Sequence, residues 1–227
     1  VEQMYRITLR NNDFFECNSS HILSLVCNAN HSKRFYKDSI HNISVEEYIQ
    51  LPKSVKHVLK SYKVGIALPE REVPIDPYLL GLWLGDGTSR VFQITNMDKE
   101  VEEYLGQYAK EHDMVFIKRP TLSKAFTYSI TQKKKQWHTG LNGFLTKNNL
   151  FNNKHIPQVF LLNSRENRLL LLAGLLDTDG YLHNNYFEIF VGHKTLIDDV
   201  VFLARSLGFH VYIGKKKGIE GARISIS

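Results

Sequence analysis

The sequence predicts an α+β fold in which one order of elements occurs twice, after a small β segment at the N-terminus. The segment LLGLWLGDG (Leu79–Gly87) returns as LAGLLDTDG (Leu172–Gly180), and the two copies start 93 residues apart. Each copy is an apolar helical run that ends in an acid followed by glycine. After each copy, the hydrophobic pattern predicts a strand, a helix and two further strands. The repeated order indicates a duplicated half-domain.

Small residues recur four positions apart in both copies. Gly81 and Gly85 share one helical face in the first copy, and Gly174 and Thr178 repeat that spacing in the second. Small residues at this spacing let two helix backbones approach closely. We therefore expect the two helices to pack side by side and to end together.

The acid–glycine ends predict a metal site. Gly87 and Gly180 are expected to stop the helices in the left-handed conformation, which brings Asp86 and Asp179 to two adjacent C-termini. Two carboxylates beside two negative helix ends repel each other unless a cation lies between them. Carboxylate and carbonyl oxygens suit Mg²⁺ or Ca²⁺, and paired hard cations commonly serve phosphodiester hydrolysis. The alternative is that each aspartate is a solvated residue at a helix end.

The two segments resemble the paired signature helices of the LAGLIDADG homing endonucleases in their single-chain form. The second copy follows the motif almost letter for letter, and the first carries Leu84 where the motif has its earlier aspartate. Because the family's metal-binding acid is the later one, the resemblance leaves Asp86 in that role. It implies a pseudo-two-fold pair of αββαββα half-domains with a saddle-shaped antiparallel sheet in the DNA major groove. It also implies Mg²⁺-dependent cleavage of both strands of a long, specific site, with Mn²⁺ as a substitute and Ca²⁺ as a non-productive ion.

Residues 1–43 are predicted to form a small all-β segment. The stretch FFECNSSHILSLV is similar to a block of the intein splicing domain in which Thr or Asn stands three residues before His. That block maps to Asn18 and His21, and the resemblance implies that His21 helps to activate a scissile peptide bond. The alternative is an ordinary histidine satisfied within a small β fold.

The residues at the ends of the chain and its two cysteines limit what the intein resemblance implies. The splicing nucleophile of inteins is their first residue, which is Val1 here, and no His-Asn pair precedes Ser227. We therefore expect an interior portion of a longer intein.

The two cysteines, Cys17 and Cys27, make no disulfide framework, and reduced thiols in an intracellular protein are the simpler interpretation.

A basic helical segment and a linker are predicted at residues 44–75. Ser44 is a plausible N-cap, with Glu47 completing a capping box three residues later. Prolines then punctuate the stretch LPEREVPIDPY, as in a stiff linker. Asp76 and Pro77 are a good N-cap and first-turn pair for the first signature helix.

Residues 76–227 are predicted to form the duplicated domain, with halves of about 76–152 and 153–227. In the first half we expect a strand at 91–95, a helix at 99–112, strands at 115–118 and 126–131, and a short closing helix at 141–151. In the second half we expect a strand at 186–191, a helix at 195–207, and strands at 210–214 and 223–227. The matching last helix is expected beyond Ser227.

Lys154 is the candidate basic residue for catalysis. The predicted metal ligands are the carboxylates of Asp86 and Asp179 with the carbonyls of Gly85 and Thr178. Lys154 stands in the segment KHIP, ahead of the second signature helix, and resembles an active-site lysine in a KNIP-like segment of an intein endonuclease. The alternative is a solvated surface lysine.

DNA contacts are expected on the strands and loops of the saddle. Arg90, Gln93 and Thr95 are predicted to alternate along the first strand, where Arg and Gln suit base edges. Phosphate contacts are expected from two lysine runs in equivalent hairpin loops. They are Lys133, Lys134 and Lys135, and Lys215, Lys216 and Lys217. The alternative for each run is a solvated loop that does not contact DNA.

Composition agrees with a DNA-binding protein but does not identify one. Lys and Arg total 29 against 23 acidic residues, which gives a net charge of +6 and an excess that suits a polyanion. No stretch is long and apolar enough to predict a membrane span, and no signal peptide is evident. We expect an intracellular monomer with internal pseudo-symmetry, in the cytoplasm or nucleus. A degenerate DNA-binding module and an RNA maturase of the same fold remain alternatives.

Overall fold

The chain divides into two compact units in the computed structural model, which describes residues 2–9, 13–133, 140–214 and 220–227. The first unit ends at Lys63 and the second begins at Val64. No helix among the described residues has the length and apolar character needed to cross a bilayer.

The first unit consists of short antiparallel strands and two short helices. Its elements are β1 (Met4–Thr8), β2 (Phe14–Asn18), β3 (Ile22–Cys27), β4 (Ile40–Ser44), α1 (Val45–Gln50), α2 (Lys53–Val58) and β5 (Leu59–Ser61). β1 pairs with β2, and the second sheet has the order β4-β3-β5. The capping box of Ser44 and Glu47 is confirmed.

Residues 44–63 belong to this unit and do not form a separate segment with the linker. Val45, Val55 and Val58 pack in the same apolar core as Cys17 and Leu23. β5, which the sequence analysis missed, adds to the free edge of β3. The reason is burial, because each helix is too short to be stable without an apolar face packed on the sheet.

The second unit contains the duplicated elements. The first half contains α3 (Pro77–Asp86), β6 (Gln93–Asn96), α4 (Lys99–Glu111), β7 (Met114–Pro120), β8 (Phe126–Gln132) and α5 (Gly140–Lys147). The second half contains α6 (Gln158–Leu161), α7 (Arg165–Asp179), β9 (Gly180–His183), β10 (Tyr186–Val191), α8 (Lys194–Ser206), β11 (Val211–Gly214) and β12 (Ala222–Ile226). The predicted elements are present in the predicted order in both halves, and α6 and β9 are additional elements that the sequence analysis missed.

The two antiparallel sheets have equivalent strand orders. They are β6-β8-β7 in the first half and β11-β12-β10-β9 in the second. The first-half counterpart of β9 is reduced to a single bridge between Gly87 and Ile94. The equivalent pair in the second half is Gly180 opposite Ile189. The predicted α+β fold with internal pseudo-symmetry is therefore correct.

α3 and α7 cross in close contact at their small residues. A Cβ atom added to Gly81 would lie 2.4 Å from the carbonyl oxygen of Leu171, and one added to Gly174 would lie 2.2 Å from that of Tyr78. Any side chain at either position would therefore push the helices apart. The predicted close approach is confirmed, and it sets where the two helices end.

The predicted left-handed ends of these helices are wrong. Gly87 has φ −73° and ψ 146°, and Gly180 has φ −84° and ψ 144°, both extended. The chain passes directly from each helix into β pairing, which requires an extended residue. Glycine is needed there for space, since an added Cβ would lie 2.1 Å from the carbonyl oxygen of Trp83 and 2.3 Å from that of Leu176, respectively.

The segment that leads into α3 is held by buried polar side chains. Arg168 has no exposed surface, and its guanidinium donates to the carbonyl of Ile66 at 2.5 Å and to that of Ser206 at 2.8 Å. The side chain of Asn163 accepts from the backbone N–H of Arg71 and donates to its carbonyl oxygen. The predicted linker is therefore docked on the second unit in its later part, and it leads into the confirmed N-cap at Asp76.

Candidate active site at the paired helix ends

Asp86 and Asp179 lie at the last positions of α3 and α7, which end side by side. A Cβ atom added to Gly85 would lie 2.0 Å from Thr178 Oγ1 and 3.4 Å from Asp179 Oδ2. Glycine at position 85 therefore lets the end of α7 come against the end of α3. The structure brings the two predicted acids together, because the crossing at the glycines fixes both helix ends.

Burial raises the pKa of both carboxyl groups. A hydrogen bond from Asn96 Nδ2 to Asp86 Oδ2 at 2.7 Å and the charge of Lys154 oppose the rise in the pKa of Asp86, and the charge of Asp98 adds to it. Burial first and the charge of Asp86 second raise the pKa of Asp179, and Lys154 again opposes the rise. Because ionisation of both carboxyl groups is costly, the site favours a bound cation.

Lys154 is buried at the end of α3. Its side chain is only 7% exposed, and Nζ donates to the carbonyl oxygens of Leu84 and Gly85, both at 2.9 Å. Nζ also lies 5.3 Å from the ring centroid of Trp83. Burial lowers the pKa of Lys154 to about 8, against the opposing charges of the two aspartates. Lys154 is therefore not a solvated surface lysine, and its ammonium group adjoins both predicted metal ligands.

The oxygen donors fit a divalent ion that is shared with a phosphate substrate. Among the described residues, no group of three or more His, Cys, Asp or Glu side chains could hold a metal ion. Mg²⁺, however, is commonly bound by only one or two carboxylates, with substrate phosphates and water completing the octahedron. The carboxylate of Asp179 accepts no hydrogen bond from any described residue, so its lone pairs are available. The carbonyl of Gly85 already accepts from Lys154, and its role as a ligand stays a prediction with that of Thr178.

Asn96 is a site residue that the sequence analysis missed. It is 6% exposed, donates to Asp86, and accepts the backbone N–H of Asp98 at 2.6 Å. It therefore orients the carboxylate from the strand that follows α3. One signal in the sequence could have identified it. Asn96 lies two residues after Ile94 in the strand, on the same buried side, where a polar residue is unexpected.

The predicted DNA-binding residues differ from one another in where they lie in the structure. Gln93 and Thr95 lie on β6 and point to the face opposite the buried Ile94. Arg90 is exposed but lies in the turn before β6, so its predicted place in the strand is wrong, because β6 begins only at Gln93. Lys133 is exposed and forms an ion pair with Asp113. Lys134, Lys135, Lys215, Lys216 and Lys217 lie outside the described residues.

The predicted splicing residues lie at a turn in the first unit. The backbone N–H of His21 donates to the carbonyl of Asn18 at 3.3 Å, and the Asn18 amide donates to Glu2 at 2.6 Å. The His21 side chain is exposed, with its ring centroid 6.1 Å from that of Phe15. This histidine is therefore not part of the core, and its splicing role stays a prediction.

Comparisons with known proteins point to DNA endonucleases. Residues 155–224 match the family model described as homing endonuclease. The chain is 34% identical over 154 residues to the replicative DNA helicase DnaB of Mycobacterium intracellulare, covering 67% of this chain and 22% of the helicase. It is 25% identical over 177 residues to the homothallic switching endonuclease of Saccharomyces cerevisiae, covering 65% of this chain and 30% of that enzyme. The chain thus spans less than a third of either relative.

Solved structures of the homing endonuclease I-DmoI share the fold. The structure of its mesophilic variants matches with a TM-score of 0.51 and 18% identity, over 67% of this chain and 82% of that one. Its complex with DNA and manganese matches with a TM-score of 0.50 and 17% identity, over 67% and 88%. Together with the family match, these findings support a homing endonuclease domain with the LAGLIDADG fold.

Proposed function

We propose, from the homing endonuclease domain that these comparisons support, that the chain is the DNA-cleaving part of an intein. Asp86 and Asp179 would hold Mg²⁺, with Mn²⁺ as a substitute and Ca²⁺ as a non-productive ion. The reaction is hydrolysis of a phosphodiester bond in each strand of a long, specific duplex site. The observation that carries this proposal is the meeting of two carboxylates of raised pKa with a buried lysine at paired helix ends.

The residues of the chain divide the chemistry between them. A bound divalent ion supplies a water of lowered pKa and neutralises charge on the phosphate. Asp86 and Asp179 would hold that ion at the helix ends, and Asn96 keeps the Asp86 carboxylate in one orientation. Lys154 is mostly protonated at neutral pH, because its pKa of about 8 lies above 7. Its ammonium group can therefore stabilise negative charge that builds up on the phosphate.

Double-stranded DNA is the proposed partner. The net charge of +6 favours a polyanion, and the related I-DmoI was solved in complex with DNA and manganese. Each half of the second unit supplies one acid and one antiparallel sheet, so a single chain can address both strands. We therefore propose a monomer that acts on DNA inside the cell, in the cytoplasm or the nucleus.

The match to a helicase supports the intein part of the proposal. A DNA helicase and a homing endonuclease belong to different enzyme classes, yet this chain resembles a part of each. The matched part is 22% of the helicase, as expected if a helicase host carries an inserted element. Splicing would then belong to the parent protein, with Asn18 and His21 in its splicing domain.

Cleavage of plasmid DNA tests the proposed function. The chain is incubated with a supercoiled plasmid library of randomised inserts, with Mg²⁺ or with a chelator. We expect linear product only with Mg²⁺, and we expect Asp86→Asn and Asp179→Asn each to lower the rate by about 1000-fold or more while gel-shift binding persists. Asp177→Asn is the matched control, because this exposed acid is engaged by Tyr78 at 2.7 Å and lies beside the site without belonging to it.

Two outcomes would contradict the proposal. Binding without cleavage by the unsubstituted chain would indicate a degenerate module, and binding of RNA in preference to DNA would indicate a maturase. Cleavage that persists in either Asp→Asn variant would show that the acids do not carry the reaction.

A further inference from the structure

Each sheet of the second unit has one face packed on helices and one face that points away from them. α4 packs on β7 and β8, and α8 packs on β10, β11 and β12. Because side chains alternate along a strand, the residues between the core positions all lie on the opposite face. We call these the first open face, on β6, β8 and β7, and the second open face, on β9 to β12.

The first open face carries hydroxyl and amide groups on β6 and β8, and Ile117 and Arg119 on β7. Gln93 lies opposite Ser129, and Thr95 lies opposite Thr127, with 3.0 Å between the two threonine hydroxyls. The hydroxyl of Ser129 is buried and has no hydrogen-bond partner among the described residues. Gln93, Thr95 and Thr127 are partly exposed and can donate to and accept from base edges, whereas the buried Ser129 hydroxyl is not accessible to them.

The second open face carries Phe190 at the position equivalent to Thr95, and the rings of Tyr181, Tyr186 and Tyr212 lie on the same face. The positions equivalent to Gln93, Thr127 and Ser129 are Glu188, Arg223 and Ser225. Tyr181 is 66% exposed, Tyr212 is 50% exposed and Phe190 is 46% exposed. Tyr181, His183 and Tyr186 form a row, with ring centroids 6.3 Å apart for the first pair and 5.2 Å for the second. Exposed aromatic surface of this extent on a sheet indicates a binding surface.

The end of the Phe190 ring lies over a glycine. Gly221 has φ +120°, and a Cβ atom added there would lie 2.8 Å from Cζ of Phe190. A side chain at position 221 would therefore compete with this ring for space.

The aromatic surface is continuous with the candidate active site. β9 begins at Gly180, directly after Asp179, so Tyr181 follows the second acid by two residues. A duplex held at the acids would therefore lie against this face. The Arg223 guanidinium on this face is exposed and forms an ion pair with Glu188 at 3.3 Å, so the face presents the rings together with one ion pair.

We propose, on the basis of the proposed nuclease function, that the two open faces read the two half-sites by different chemistry. The first face uses hydrogen bonds to base edges. The second face uses apolar contact between its rings and the C5-methyl groups of thymine, which only A·T pairs present in the major groove. The half-site under the second face is therefore rich in thymine, and its recognition depends on the methyl groups.

Replacement of thymine by uracil tests this assignment, because uracil lacks the methyl group and keeps every hydrogen bond. Duplexes are selected from a random library with the chain carrying both Asp86→Asn and Asp179→Asn, and thymines are then replaced in each half-site separately. We expect affinity to fall about fourfold for each contacted thymine in one half-site, as the loss of a buried methyl group implies. We expect little change in the other half-site.

Two further variants assign the half-sites to the faces. Phe190→Ala removes an exposed ring, so the fold should persist, and we expect it to abolish part of the uracil effect. The isosteric pair Thr95→Val and Thr127→Val should leave the uracil effect intact and relax base preference in the other half-site. Unfolding curves of all variants check that the fold is preserved.

The outcomes separate this inference from the proposed function. Equal uracil effects in both half-sites, no effect in either, or an effect that Phe190→Ala leaves unchanged would overturn the inference even if the unsubstituted chain cuts the selected site. A selected site that is bound but never cut would overturn the nuclease function and still report on the two faces. Failure to select any duplex would overturn both.

Discussion

The ends of α3 and α7 share one backbone plan but carry different side chains around their acids. Both helices cross at a glycine, end in aspartate and continue through an extended glycine into a strand. The backbone repeats because close helix crossing and the direct turn into β pairing allow no larger residue. The neighbours of the acids are not constrained in this way, and they have diverged.

Strand register shows how the surroundings of the two acids differ. Ile94 bridges Gly87, and Ile189 pairs with Gly180, so Asn96 and Val191 occupy equivalent positions two residues further along. The amide of Asn96 holds Asp86, whereas the buried Val191 can offer no hydrogen bond to Asp179. At this position Asp86 therefore has a side-chain hydrogen-bond partner, and Asp179 does not.

The earlier motif position and the lysine add to this difference. Leu84 is buried in the first copy, and its counterpart Asp177 is exposed and bound by Tyr78. Among the described residues, Lys154 donates to the end of α3 and not to that of α7. The fold is therefore symmetric where packing demands it and asymmetric around the two acids, and under the proposed function the two DNA strands need not be cut equally fast.

The largest expected effect comes from the symmetric part, the glycine crossing. Gly81→Ala and Gly174→Ala each place a Cβ atom within 2.4 Å of a backbone carbonyl oxygen, which side-chain rotation cannot relieve. We expect each to lower the free energy of unfolding by about 3 kcal/mol or more and to misplace both acids. Urea unfolding and plasmid cleavage measure the two consequences.

Gly106→Ala is the matched control for these variants. Gly106 lies in α4, and the nearest atom to an added Cβ is a ring carbon of Phe116 at 4.0 Å. Alanine there should raise the free energy of unfolding by about 0.5–1 kcal/mol. Equal effects at Gly81 and Gly106 would contradict the close crossing.

The second prediction concerns the asymmetric lysine. Lys154→Met keeps the volume of the buried stem and removes the ammonium group, so we expect cleavage to slow by about 100-fold while DNA binding is retained. Lys147→Met, at an exposed position on α5, is the control and should leave the rate unchanged. A strand-resolved nicking assay reports whether one strand is affected more. Loss of affinity without loss of rate would instead make Lys154 a binding residue.

The third prediction concerns a substitution that removes the difference between the surroundings of the two acids. Asn96→Val installs the residue type found at the equivalent position of the second half, Val191, and removes the hydrogen bond that lowers the pKa of Asp86. We expect the Mg²⁺ concentration for half-maximal cleavage to rise about 10-fold, with the rate largely recovered at saturating Mg²⁺. A fall in melting temperature with an unchanged Mg²⁺ requirement would show that Asn96 acts only on stability, through its hydrogen bond to the N-terminus of α4.

The repeated backbone plan could be predicted from the sequence because small residues and an apolar face leave few ways to pack. The extended form of Gly87 could not, because glycine permits both conformations and the choice depends on pairing with Ile94 across the sheet. The role of Asn96 and the aromatic open face depend on strand register, which one sequence does not specify. Residues 44–63 were misjudged because their helix pattern does not reveal which sheet covers them.

The smallest expected effect concerns the stability of the metal-free protein, in which the ionised acids lower the free energy of unfolding. Burial raises the pKa of Asp86 above its ordinary value of 3.8, so the folded state binds the proton more tightly than the unfolded state. At neutral pH, Asp86→Asn should therefore raise the melting temperature, and this gain should disappear as pH falls toward 3.8. Asp179→Asn should likewise raise the melting temperature, because burial and the charge of Asp86 raise the pKa of Asp179. Added Mg²⁺ should reverse the order by stabilising only the unsubstituted chain, and a melting temperature lowered by both substitutions without metal would contradict the electrostatic conflict at the helix ends.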